Sequence, residues 1–275
     1  MHDLLFTAIK AAVLSGEKII ETKQKGFDIE TKKDNSPVTI ADLASNKVIM
    51  DILSSTSFPI LSEENKIMDY SVRKDWETMW IVDPLDGTKE FIANRDEYTT
   101  NIALFKNGKI VLGVVFVPEL KTLYFAEDKL GSYKATNVVS SKLESLSELI
   151  NNSFTLPIVN PSRDFVVVAS RSHQSPETKE FIDKLQKELG NIQIESYGSS
   201  LKLCKVAEGT AKIYPRLGPT MEWDIAASIA IVKYAGMEVL QYPTLVEVEF
   251  NKENLLNPYF IVFPKEFNAL IKSCI

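Results

Sequence analysis

Histidine and cysteine are almost missing from this sequence: among 275 residues there are two of each, His2, His173, Cys204 and Cys274. Two cysteines, one inside an apolar helical pattern and one at the last position but one, are too few for a disulfide framework and fit a reducing compartment. Two histidines, one of them beside the first residue, leave no basis for an imidazole zinc site or a Ser-His-Asp triad. A basic excess is missing too. Lys and Arg number 31 against 37 Asp and Glu, for a net charge of −6, and they are scattered, which excludes long nucleic acid as a partner. A phosphorylated small molecule would have to be neutralised locally, by metal ions, a few Lys or Arg, or helix N-termini. No run reaches the roughly 18 apolar residues of a membrane span, and the opening MHDLLFTAIKAAVLSGEK lacks the pattern of a secretory leader. The expectation is a cytoplasmic protein with no integral membrane segment. There is no internal repeat and no low-complexity tract.

What is present is an ordinary globular composition, 45% apolar, enough for one large domain or two modest ones sharing an interface. Apolar spacing predicts a helix over residues 3–23, a second from about Thr39 with Asp42 in its first turn, and further helices over 176–189, 201–208 and 223–235. Strands are expected at 59–62, 79–83, 99–106, 109–117, 122–127, 165–169, 192–196 and 211–214, with Asn107-Gly108 a hairpin turn. The mixture is α+β. Residues 137–163, rich in Ser, Asn and Pro, carry the weakest pattern and read as a linker or excursion.

Two predicted strands run into carboxylates. The first ends at Glu63-Glu64. The second, in WIVDPLDGTKEF, ends at Asp83 and is followed by Asp86, Gly87 and Thr88. Asp83 and Asp86, three apart in a turn, can face one side with the Leu85 carbonyl between them, and Thr88 adds a hydroxyl. That donor set suits a hard divalent cation such as Mg²⁺. Asp-Pro and Asp-Gly are also ordinary turn pairs, and Asp42 and Asp224, each near a helix start, read equally well as caps. The register of a calcium loop is absent, and nothing marks an acid partner for an aspartyl-phosphate mechanism.

The segments SPVTIADLASN, LSEEN, WIVDPLDGTKEF and EWDIAAS, in that order, resemble the signature of the inositol monophosphatase superfamily of Mg²⁺-dependent, lithium-sensitive phosphatases. DGTKEF, ASRSH and GSSLKLCKVAEGTAKIYPRLGPTMEWDIAA are similar to its bacterial 3'(2'),5'-bisphosphate nucleotidase branch, and the resemblance covers residues 3 to about 240. It implies a layered α/β/α/β/α sandwich with the site in a cleft between an N-terminal half, residues 1–140, carrying most metal ligands, and a C-terminal half, 141–275, carrying nucleotide contacts and one ligand Asp. By resemblance Glu63, Asp83 and the Leu85 carbonyl hold one Mg²⁺, and Asp83, Asp86 and Asp224 a second. A third, weaker ion would lie near Glu63, and Asp42 with Thr88 would activate the water. The phosphate would sit against Leu85, Asp86, Gly87 and Thr88, close to Glu63 and Asp224. Ser170, Arg171 and His173, with Gly198, Ser199, Lys202 and Arg216, would face the nucleotide. The implied reaction is hydrolysis of the 3'-phosphate of adenosine 3',5'-bisphosphate to AMP, extending to 3'-phosphoadenylyl sulfate, in support of sulfate assimilation. An inositol phosphatase or fructose-1,6-bisphosphatase of the same superfamily is the alternative. Peripheral membrane contact and oligomeric state stay open.

Overall fold

The computed structural model describes residues 1–26, 29–31, 37–158, 165–170 and 175–275. The central element is a seven-stranded sheet in the order Ile60–Ser62, Thr78–Asp86, Thr99–Lys106, Lys109–Val117, Thr122–Glu127, Gly131–Ala135 and Phe154–Thr155. The first pair is parallel and every other pair antiparallel. Side chains alternate between two cores, as the two-residue period of a strand demands. Trp80, Val82, Ile102, Leu104, Val114 and Phe116 join one face, and Met79, Ile81, Ala103, Phe105, Val115 and Val117 the other. Because both faces are covered, the strands read as nearly unbroken apolar runs.

The first face is covered by the helices His2–Lys25 and Ile40–Leu53. In the former, Leu5, Ala8, Ile9, Ala12, Val13 and Ile19 recur at helical spacing and are fully buried. The second face is covered by the helices Leu201–Glu208 and Glu222–Tyr234. The latter is buried nearly all round, at Trp223, Ile225, Ala226, Ala227, Ile229, Ala230, Ile231 and Val232, because a second set of strands lies beyond it. That set contains the parallel pair Val166–Ser170 and Gln193–Tyr197 and the antiparallel trio Tyr214–Arg216, Phe260–Pro264 and Met237–Gln241. Two hydrogen bonds join them, from Val168 N–H to the Ile213 carbonyl and from Lys212 N–H to the Val166 carbonyl. The helices Pro176–Leu189 and Asn268–Ser273 close the outer face over Val167, Ala169, Ile261 and Phe263. The result is the expected α/β/α/β/α sandwich.

Three expectations are corrected. Most of the 137–163 stretch is part of the body: Ser145 caps the helix Leu146–Asn151 through a bond from Glu148 N–H, and Phe154–Thr155 adds the seventh strand to the sheet, beyond residue 140. Residues 159–164 lie outside the described ones. The strand expected at 211–214 begins only at Tyr214, because Ala211 N–H is taken by the Lys205 carbonyl at the close of the preceding helix. The strand expected to stop at Asp83 runs on to Asp86 through a register shift between those two aspartates. Pro84, which has no N–H to donate, sits at that irregularity.

Candidate active site

The strand Thr78–Asp86 delivers the first ligand. Asp83 is almost completely buried, and its Oδ1 accepts the Leu85 N–H at 3.0 Å, which holds the chain in a tight turn. The Pro84 carbonyl is turned away to accept the Ser45 and Thr100 hydroxyls at 2.8 and 3.1 Å. Gly87 takes a φ of +93°, a conformation costly for residues with a Cβ, and starts the short helix Thr88–Ile92. On the neighbouring strand Glu63 N–H bonds the Val82 carbonyl at 3.2 Å, which brings its carboxylate beside Asp83. Asp224 enters from the Glu222–Tyr234 helix, and carboxylate oxygens of Glu63, Asp83 and Asp224 lie within 4.8 Å of one another.

Such a cluster is electrostatically unfavourable as it stands. Burial, then the charges of Glu63 and Asp86, pushes the Asp83 carboxyl well above its ordinary range. Burial, then Asp86, pushes Asp224 up to about 8, against a bond from Met221 N–H that favours the ion. Convergent oxygen donors with unbalanced negative charge are the donor set of a hard divalent cation, so these residues fit one.

Asp42 and Thr88 meet as expected. The Thr39 N–H and hydroxyl both donate to Asp42 Oδ2 at 2.7 Å, and the Thr88 hydroxyl donates to Asp42 Oδ1 at 3.2 Å. One oxygen of Asp42 therefore serves the helix start and the other meets Thr88. Asp224 does the same, its Oδ2 accepting Met221 N–H at 2.8 Å.

Asp86 is held from the other half of the chain. Its Oδ2 accepts the Ser199 hydroxyl at 2.5 Å and Ser200 N–H at 2.8 Å. Ser200 and Thr99 tie the same turn to Asn101 and to each other. Gly198 makes this approach feasible: a Cβ there would come within 2.8 Å of the Glu97 carbonyl and of Glu90, while its N–H donates to the Glu97 carboxylate at 2.9 Å.

One cavity of about 320 Å³ is lined by Glu63, Asp83, Asp86 and Asp224, by Leu85, Gly87 and Thr88, and by Lys202 and Arg216. The Lys202 ammonium donates to the Ser199 carbonyl at 2.6 Å and lies 5.9 Å from the Tyr214 ring centroid; burial pulls its pKa down to about 8. Arg216 donates to the Pro219 carbonyl at 2.7 Å, while its Nε is buried with no hydrogen-bond partner among the described residues. Gly198 and Ser199 line the same cavity. Of the 170–173 motif, Arg171 and His173 lie outside the described residues, and Ser170 is placed only as the last residue of its strand. Tyr197, Tyr214, Lys89, Glu90 and Thr220 also line the cavity and were not foreseen. Lys89 and Glu90 lie within DGTKEF, Tyr214 and Thr220 within GSSLKLCKVAEGTAKIYPRLGPTMEWDIAA, and Tyr197 directly precedes the latter.

A five-layer sandwich with a carboxylate centre at the end of its central sheet strands, facing a cationic recess from the second half, defines the class of layered metal-dependent phosphatases. The inositol monophosphatase family model matches residues 1–254, and the chain belongs to that family. Members of the family depend on metal ions. The 3'(2'),5'-bisphosphate nucleotidase CysQ of Escherichia coli strain K12 is 42% identical over 240 residues, 86% of this chain and 89% of that protein. The protein of the same name from Haemophilus influenzae is 30% identical over 261 residues, 94% and 92% of the two chains. The crystal structure of CysQ from Bacteroides thetaiotaomicron superposes with a TM-score of 0.89 at 48% identity, covering 96% of this chain and 98% of that one. An inositol monophosphatase from Thermotoga maritima, at 21% identity and a TM-score of 0.73, shares the fold.

Proposed function

We propose that this chain is a 3'(2'),5'-bisphosphate nucleotidase that removes the 3'-phosphate of adenosine 3',5'-bisphosphate, giving AMP and phosphate, with Mg²⁺ as its metal. The observation that supports this reading is a cavity lined both by the carboxylates Glu63, Asp83, Asp86 and Asp224 and by the cations Lys202 and Arg216. That combination of donors and cations suits a molecule with two phosphates, one to be cleaved and one to be held. The reading also draws on relatives that bear this name at 42% identity.

In this reading Glu63, Asp83, the Leu85 carbonyl, Asp86 and Asp224 hold two Mg²⁺ ions, with a third, weaker one beside Glu63. Bound there, the ions supply Lewis acidity towards phosphoryl oxygen and water. The protein's own share is positioning and proton transfer. Thr88 donates its hydroxyl proton to Asp42, so its lone pairs face outward to accept the proton of the attacking water. Thr39 keeps Asp42 oriented for that relay. Gly87 lets the backbone approach the scissile phosphate. Lys202 and Arg216 bind the 5'-phosphate, since ammonium and guanidinium groups complement phosphate oxygens. The reading extends to 3'-phosphoadenylyl sulfate as a second substrate, which would place the enzyme in sulfate assimilation.

The experiment is phosphate release from adenosine 3',5'-bisphosphate with Mg²⁺, with and without Li⁺, beside 3'-phosphoadenylyl sulfate, inositol 1-phosphate and fructose 1,6-bisphosphate. Nucleotide-selective, lithium-inhibited release is expected. Preference for a sugar phosphate would retain the carboxylate chemistry and overturn the roles of Lys202 and Arg216.

A further inference from the structure

Beyond the cavity, the N-terminus of the Glu222–Tyr234 helix carries a second carboxylate that the proposed reaction does not use. Glu222 is fully buried. It accepts Asn251 N–H at 2.7 Å, Lys252 N–H at 3.0 Å and the Lys252 ammonium at 2.6 Å. A buried charge with three donors fixes both partners, because removing any one leaves the rest undersatisfied.

The segment that supplies those donors, residues 251–257, has no regular secondary structure and returns to the same helix end repeatedly. Glu222 N–H donates to the Leu255 carbonyl at 3.0 Å, and Asn257 N–H to the Thr220 carbonyl at 2.8 Å. Asn257, itself buried, donates its side-chain amide to the Met221 carbonyl at 2.7 Å. Met221 is the residue whose N–H holds Asp224 Oδ2. A chain of two bonds therefore runs from Asn257 through one residue, Met221, to the carboxylate that meets Glu63 and Asp83.

The segment is anchored at its far end to the other half of the molecule. Arg73, 2% exposed, lies on the connection between the strand that precedes Glu63 and the strand that carries Asp83. Its guanidinium donates to Asn251 Oδ1 at 2.9 Å and to the Glu253 carbonyl at 2.7 Å, and the Asn251 amide returns a bond to the Arg73 carbonyl at 2.8 Å. Asn251 has a φ of +59°, which asparagine tolerates better than most residues.

We infer that residues 251–257 form a strap that sets the position of Asp224 against Glu63 and Asp83, with Asn257, Glu222, Asn251 and Arg73 as positioning residues. The strap gives a role to a stretch in which the sequence shows no motif. This inference rests on the metal reading proposed above. Groups that orient a ligand without touching the metal typically change metal affinity by about 10- to 100-fold.

The test uses the full chain with Asn257→Ala, Asn251→Gly and, as reference, Asp224→Asn. Asn251→Gly keeps the positive φ and the backbone bond to Glu222 and removes only the two side-chain bonds to Arg73. Mn²⁺ binding to the nucleotide-free protein is followed by electron paramagnetic resonance, beside thermal melts and the Mg²⁺ dependence of phosphate release. Both strap variants are expected to weaken Mn²⁺ binding by about tenfold or more and to raise the Mg²⁺ midpoint in step, with kcat at saturating Mg²⁺ kept within about threefold. A lowered melting temperature with unchanged Mn²⁺ affinity and Mg²⁺ midpoint would make the strap purely structural and overturn the inference. Should Asp224→Asn itself leave Mn²⁺ binding intact, the metal reading fails, and the inference fails with it for that separate reason.

Discussion

At the residue scale, the site shows why an acidic residue near a helix start can be misjudged either way. Asp42 and Asp224 each commit one oxygen to backbone N–H groups and so are genuine caps, yet each has a second oxygen to offer, to Thr88 and to the Glu63–Asp83 cluster. Asp83 has no cap to serve, and burial with the neighbouring Glu63 charge opposes its ionisation. Asp83→Asn is therefore expected to lower phosphate release by more than about a hundredfold, beyond the loss typical of an outer partner. It should leave the metal-free melting temperature equal or higher, since it removes a buried carboxyl whose ionisation burial and Glu63 oppose. Near-normal turnover in that variant would dismiss the metal assignment. Lys202 supports a second prediction. Its ammonium is pulled down to about 8 by burial, so kcat/KM for adenosine 3',5'-bisphosphate should fall above that pH. Rates on 3'-AMP, which lacks the second phosphate, should show no such limb, and Lys202→Arg, which cannot lose its charge, should abolish it. Matching pH profiles for the two substrates would remove Lys202 from phosphate binding.

At the scale of the element, one side chain links helix stability to chemistry. Thr39 caps the Ile40–Leu53 helix through Ala41 N–H at 3.1 Å and orients Asp42 through two further bonds. Thr39→Ala should cost about 1 kcal/mol of stability, the usual value of such a cap. It should also lower kcat more than it raises KM, because the proton relay loses its orientation while the cavity lining stays. Equal changes in kcat and KM, or none, would detach Thr39 from the relay. Periodicity served well where an element faces one core. It succeeded for the amphipathic Pro176–Leu189 and for the strands of the central sheet, whose continuous apolar runs are short enough to exclude a helix. It missed Gly131–Ala135 and Met237–Gln241, whose short mixed sequences become strands through pairing with neighbours, and also Phe260–Pro264, despite its four-residue apolar run.

For the whole molecule, the carboxylate centre links stability to pH and metal. Free of metal, folded Asp224 keeps its proton up to about pH 8 and Asp83 is raised as well, whereas both would ionise near pH 4 when unfolded. Over that interval the folded state binds more protons, so this pair's contribution to stability is full below about pH 4 and is lost as pH rises through about 8. The metal-free protein should accordingly melt at lower temperature at pH 8 than at pH 5. Mg²⁺ should raise the melting temperature more at pH 8, and its binding should release protons, measurable by calorimetry in buffers of different ionisation enthalpy. A Mg²⁺-induced shift independent of pH would contradict the raised pKa values.

Read alone, the sequence determined the order and kind of most elements, and it determined the positions of Asp42, Glu63, Asp83, Asp86, Thr88 and Asp224, because each sits at the end of a strand or the start of a helix that local pattern makes visible. Their wording also determined the family. Only the tertiary structure decided that residues 63, 83 and 224 meet, that the 198–200 turn grips Asp86, and that residues 251–257 hold the end of the last ligand's helix. The Ser200–Asp86 contact spans 114 positions, the Asn257–Met221 contact 36, and the Arg73–Asn251 contact that anchors the same segment 178. Separations of that length leave no mark in local periodicity and are set by how the layers stack.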